Sequence, residues 1–191
     1  MKAITLLALL LLTPFLHAQE SGERIVLVPI DKAPKEAPLF FSATVDVTAR
    51  AGLDAITSIQ KIDYKIHQGK PETLTLSLSG AGEVVSVTGS GLRDWAVREA
   101  EDGSRFLDVR PVMDEENKPT EFQVQVETRL KIESNPASLL LPGPGPATGF
   151  ALSISITTEK GVELRVAKAD GLVPVDSTMG RKFLGYSVAF L

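Results

Sequence analysis

Cysteine is absent from this 191-residue chain, tryptophan occurs once, tyrosine twice and histidine twice. Without cysteine there is no disulfide framework, no thiol nucleophile and no lipid attachment at a cysteine. The composition speaks against a structural zinc site on the same ground, because such sites draw on several cysteine and histidine ligands. Two Tyr and one Trp cannot supply the paired aromatic girdles of an outer-membrane barrel. No Gly-x-Ser-x-Gly elbow occurs, and after the first eighteen residues His67 is the only histidine left to act as a base. It falls on the polar face of its strand, where a solvated histidine is the simpler expectation.

The only long apolar run lies at the start. Lys2 gives a positive beginning, Ala3 to Leu12 an apolar stretch, Pro14 a break, and Leu16-His17-Ala18 an exit for a peptidase. Spanning a bilayer takes about 20 apolar residues, so the run reads as a cleavable signal peptide over 1–18 and leaves no transmembrane anchor in the mature chain. Losing Lys2 takes the formal charge from −4 to one unit more negative. An acidic chain without a basic face is a poor match for nucleic acid, and no polybasic cluster points to anionic lipid. An exported chain that does without disulfides points to the periplasm or surface of a bacterium.

Beyond the signal, apolar and polar residues alternate with a period of two. Phe122, Val124, Val126, Thr128, Leu130 and Ile132 interleave with Gln123, Gln125, Glu127, Arg129 and Lys131. Successive side chains of a strand point to opposite faces, so one side is buried and one is wet. The pattern recurs over Phe41–Ala49, Ile62–His67, Leu74–Ser79 and Phe150–Thr157. Arg24 to Ile30 reads as an opening strand held to an edge by Pro29, and Ala51 to Ile56 as at most one helical turn. Asp102-Gly103 suits a tight hairpin between Trp95–Ala100 and Arg105–Arg110, while Asp114 to Pro119 reads as the tip joining the next pair. The expected fold is all-β: an antiparallel β-sandwich, immunoglobulin-like or jelly-roll-like.

Pro142 to Pro146 alternates with Gly143 and Gly145, which makes 139–147 a linker or a long loop. On the first reading 19–138 is a sandwich domain and 148–191 holds further strands of an incomplete second module; on the second, one sandwich spans both. A weak echo of Leu74–Leu92 in Leu152–Leu172 favours the boundary. The apolar ending at Tyr186–Leu191 reads either as a closing central strand or as the front part of a longer protein.

Candidate sites are few. Asp114-Glu115-Glu116-Asn117 lacks the ligand spacing and central Gly of a calcium loop and reads as a solvated turn. Glu127 and Glu133 share a strand face but stand six residues apart, about 20 Å at roughly 3.4 Å per residue, too far to act as a glycosidase pair. Gly89-Ser90-Gly91 opens like a dinucleotide fingerprint but has Asp94 in place of the third Gly, so it reads as a strand-ending turn. Trp95, Tyr64 and Tyr186 are the candidate groups for stacking on a ligand, against core packing as the alternative for Trp95. No catalytic, metal or cofactor residue is assigned, and no cofactor is expected.

The segment Leu74-x-Leu76-x-Leu78, followed by Val84, Val87, Gly89, Gly91 and Trp95-x-Val97, resembles the N-terminal β-sandwich region of large exported bacterial proteins of uncharacterised function. That resemblance implies no reaction, ligand or site residue. The expectation is an exported non-catalytic module for adhesion, scaffolding or envelope assembly, with a protein or polysaccharide of the envelope as partner. The alternatives are a carbohydrate-binding module attached to an enzyme domain beyond Leu191, and a carboxylate-dependent hydrolase. N-terminal sequencing of the exported protein is expected to find Gln19 first, and a chain still starting at Met1 would exclude the cleavable signal.

Overall fold

The computed structural model describes residues 37–113, 119–133, 136–177 and 180–188. The signal segment, the Arg24–Ile30 strand and the acidic run at 114–117 fall outside the described residues. The described residues form one compact unit, all-β, with no helix among them.

Two long strands start it. β1 (Phe40–Ala51) and β2 (Ala55–Gln68) pair antiparallel along their length. The turn between them is closed by Gly52 N–H donating to the Ala55 carbonyl at 2.9 Å, with Leu53 exposed at its tip. The helical turn expected at Ala51–Ile56 is therefore absent. Ala51 pairs with Ile56, and a single helical turn has too few bonds to compete with a twelve-residue strand.

β7 (Glu121–Lys131) continues the sheet antiparallel to β2, and β4 (Glu83–Thr88) lies beyond it at the edge. On the other side of β1 lies β9 (Gly149–Thr158), then β11 (Arg181–Val188), then the short edge strand β10 (Val173–Val175). The order of this seven-stranded sheet is β10-β11-β9-β1-β2-β7-β4. β1 and β9 run parallel, from Ser42 opposite Gly149 to Ala51 opposite Thr158. The expectation of a wholly antiparallel fold is corrected here. Alternation reports which face is buried and is blind to strand direction, while a parallel pair needs a long crossover, here most of the chain. That mixed sheet also departs from immunoglobulin and jelly-roll patterns, whose sheets are antiparallel.

The second sheet has four strands in the order β5-β6-β3-β8: β5 (Leu92–Glu99), β6 (Arg105–Pro111), β3 (Leu74–Ser79) and β8 (Leu141–Gly143). β5 and β6 form the expected hairpin around Asp102-Gly103, and Gly103 has a φ of 81°. The Ser90-Gly91 turn carries the chain from β4 in one sheet to β5 in the other. β6 and β7 likewise belong to different sheets, so they do not pair as the hairpin expected there. The Leu74 and Leu152 segments are not equivalent copies: β3 lies in the small sheet and β9 in the large one, and residues 162–169 form no strand.

Inward-facing side chains of both sheets meet in one core, which gives a β-sandwich-like arrangement. Val45, Val47, Ile62, Val124, Val126 and Ile154 come from the large sheet, and Leu74, Leu76, Leu107 and Val109 from the small one. Burying each stabilises the fold by about 1.5–3 kcal/mol. At one end the core turns polar. Gln60 donates through Nε2 to the Leu140 carbonyl at 2.8 Å and to Ser58 Oγ at 3.1 Å, and Ser58 Oγ lies 2.7 Å from Thr128 Oγ1. This network fastens 139–140 beneath β2 and β7.

The Pro/Gly stretch comes directly after it and contributes β8, at the open edge of the small sheet, where a proline without an N–H leaves no ladder bond unmade. Strands on both sides of 139–147 join the same seven-stranded sheet. Gly80 makes the approach feasible: its φ is +92°, and a Cβ there would stand 2.1 Å from the Leu139 carbonyl oxygen. Among the described residues no helix is long and apolar enough to cross a membrane.

Tyr64 is the one described buried side chain whose polar atom lacks a hydrogen-bond partner. A buried hydroxyl without a partner costs about 1–3 kcal/mol. Tyr64→Phe keeps the ring and removes that group. Its urea midpoint is expected to rise, by about 1 kcal/mol in stability; a loss of more than that would mean the hydroxyl is satisfied in solution.

Candidate functional site

Two surfaces carry the chemistry-bearing side chains, one on the outer face of each sheet. On the large sheet the polar half of each alternation comes into register. Thr44 of β1 lies opposite Asp63 of β2, which lies opposite Gln123 of β7; one row along, Ser42, Lys65 and Glu121 align in the same way. These six residues, together with Tyr64 and Phe122 of the same strands, line an open hollow of about 440 Å³. Gln123 donates its amide N–H to the Asp63 carboxylate, and Lys61 stands 3.8 Å from the same group. His67 extends the upper row: its Nε2 lies 3.0 Å from Ser42 Oγ. The sequence places His67 on the polar face but gives no sign of Ser42, which is 25 residues away and is brought close only by the β1–β2 register.

The three stacking candidates do not converge. Tyr64 is 1% exposed, with its ring centroid 6.0 Å from that of Phe41 and 6.2 Å from that of Phe122. It offers no free face to a ligand, which corrects its selection. Its place among Ile62 and Ile66 in the alternation already assigns it to the inner side. Burial pushes its hydroxyl pKa well above the usual tyrosine value, and the negative charge of Asp108 adds to this. Trp95 lies in the small sheet opposite Val109, half-buried and packed against the core. Tyr186 stands opposite Ala151 in the β11–β9 register, and Ala151 opposite Thr44, so position 186 shares a transverse row with Thr44, Asp63 and Gln123; its side chain lies outside the described residues.

The outer face of the small sheet holds an ion-pair network. Asp108, 7% exposed, accepts from Thr75 Oγ1 at 2.7 Å and from Arg98 Nε at 3.2 Å, and the Arg98 guanidinium lies 4.6 Å from the Phe106 ring centroid. These contacts tie β3, β6 and β5 together laterally. Arg110 donates to Asp94 at 2.7 Å, with Arg93 at 3.5 Å. Carboxylates satisfied in this way are structural, and no described group of three or more His, Asp or Glu side chains is placed to hold a metal ion.

The hydrogen bond from Arg110 is the main reason why the Asp94 carboxyl is held below the usual carboxylate range, with the charges of Arg110 and Arg93 adding to it. A depressed folded value means that the contribution to stability is present above the unfolded value of about 3.9 and is lost as pH falls through the folded one. A carbon-detected NMR titration is expected to place the Asp94 midpoint below about 3.9 and to move it upward in Arg110→Ala. An unchanged midpoint in that variant would show that Arg110 is not the cause.

No protein-family model matches the chain, and no curated protein matches it. Among solved structures, it is similar to yeast LTA4 hydrolase in complex with bestatin, at 13% identity and a TM-score of 0.46, over 75% of this chain and 26% of that one. Native leukotriene A4 hydrolase from Saccharomyces cerevisiae aligns at 14% identity and 0.46, over 76% and 27%. An M1 zinc metallopeptidase from Deinococcus radiodurans aligns at 12% identity and 0.39, over 80% and 40%. The chain thus spans between about a quarter and two fifths of these longer proteins, and no residue role is carried from them to it.

Proposed function

We propose that this chain is an exported, non-catalytic β-sandwich module that works by binding, in adhesion, scaffolding or assembly at a bacterial envelope. The observation that carries the reading is the placement of its polar groups. Ser42, Thr44, Asp63, Lys65, Glu121 and Gln123 are spread in rows across the exposed face of a seven-stranded sheet, where they can meet an extended partner. The signal-like start and the resemblance to exported bacterial β-sandwich regions support the location. A protein or polysaccharide of the envelope is the partner that suits such a surface.

Purified mature protein incubated with isolated envelope fractions is expected to co-sediment saturably, and to show no turnover on a panel of glycosides and esters. Turnover abolished by Ser42→Ala or His67→Ala would instead establish a hydrolase built on the Ser42–His67 pair. Failure to bind any fraction would remove the binding-module reading.

A further inference from the structure

We infer that two copies of this chain pair through the open edge of β5, antiparallel about a two-fold axis at Ala96, so that their small sheets run on as one. The inference concerns self-association and stands apart from the partner proposed above. Among the described strands, β10, β4, β5 and β8 lie at sheet edges. β10 and β8 have three residues each and contain Pro174 and Pro142, and β4 is interrupted by a register shift between Val84 and Ser86. Short length, proline and bulges all blunt an edge. The shift in β5 lies near its start, between Leu92 and Asp94, and leaves Asp94 to Glu99 in unbroken register beside β6.

The hairpin fixes which groups this edge offers. Ala100 N–H donates to the Ser104 carbonyl at 2.8 Å, so these two residues are a hydrogen-bonded pair. Bonded and non-bonded pairs alternate along an antiparallel ladder, so Arg98, Ala96 and Asp94 also bond to β6. Trp95, Val97 and Glu99 therefore turn their backbone N–H and C=O groups to the open side. Val97 belongs to the inner face, opposite Leu107, yet is 39% exposed at this edge.

A residue that bonds outward must meet another of the same kind, so the axis passes through a residue and not between two. With the axis at Ala96, Asp94 faces Arg98 of the second copy, Trp95 faces its Val97, and each contact occurs twice. An axis at Trp95 sets Asp94 against Ala96, and one at Val97 sets Trp95 against Glu99; neither opposes unlike charges. An axis at Arg93, Asp94, Arg98 or Glu99 sets that residue against its own charge. The Asp94 and Arg98 side chains are each about half exposed and lie on the outer face, so both are within reach. Asp94 is already held by Arg110 and Arg98 by Asp108, so pairing joins the two ion-pair networks with charges alternating across the seam. The small side chain of Ala96 lets the strands meet at the axis.

Sedimentation equilibrium of the purified mature protein is expected to show monomer and dimer, with a dissociation constant between about 1 μM and about 1 mM that weakens as salt screens the Asp94–Arg98 pairs. Ala96→Cys places a single cysteine in a chain that has none, at the axis. Facing Cα atoms of a non-bonded pair stand about 4.5 Å apart, a separation that a disulfide spans. Oxidation is expected to trap that variant as a covalent dimer and to leave Thr48→Cys, on the outer face of the large sheet, mainly monomeric. Val97→Pro removes an N–H that makes no bond to β6, so it is expected to keep the circular dichroism of the wild type and to weaken the dimer about tenfold or more. A chain that stays monomeric up to about 1 mM overturns the pairing. So does a dimer that Ala96→Cys fails to trap, or one that Val97→Pro leaves intact. Should Val97→Pro fail to fold, the wild-type mass and the cysteine trap decide.

Discussion

β1 is hydrogen-bonded along both of its edges, antiparallel to β2 and parallel to β9, and the rest of the molecule is arranged around that strand. Its inward residues Phe41, Ala43, Val45, Val47 and Ala49 are all buried, so they anchor the core from the centre of the large sheet. Because partners in register share a face, burying one side of β1 commits β2, β7 and β9 to bury the matching side. The same commitment lines up Ser42, Thr44, Asp63, Lys65, Glu121 and Gln123 on the outside. Core and candidate surface are two consequences of one register.

A parallel pair at the centre of a sheet is ordinarily covered on both faces. Here β1 and β9 are covered on one face only, and their outward residues are Ser, Thr, Asp, Arg, Ala and Gly instead of Val and Ile. The smaller sheet spans less of the inner face than the larger one presents. At the end where it stops, the Gln60, Ser58 and Thr128 side chains and the 139–140 backbone close the gap. Buried polar groups are tolerable there because each bonds to another, whereas the Tyr64 hydroxyl, deep among Phe41 and Phe122, does not.

Much of this was legible in the chain itself. Alternation in Glu121–Lys131 names the buried and wet faces of β7 residue by residue, and the Asp102-Gly103 turn names its hairpin, because both depend on neighbours within a few positions. The same logic assigns Tyr64 to the core, so its selection as a ligand-stacking group fails on the pattern of its own strand. The pairing of His67 with Ser42, and of Asp108 with Thr75 and Arg98, was not legible, since each needs strands set side by side.

The sequence alone determined the all-β class, the inner and outer face of each long strand and the position of the tight turns, because side-chain direction in a strand has a period of two and turn chemistry is local. Only the tertiary structure decided which strands are neighbours. It set β9 parallel to β1, sent β6 and β7 to different sheets, placed 149–158 and 181–188 in the sheet begun at residue 40, and collected polar residues from β1, β2 and β7 into one hollow. The physical reason is that an exposed polar strand face is compatible with many partners and either direction, and the choice is made by how the buried faces of all the strands close over one core.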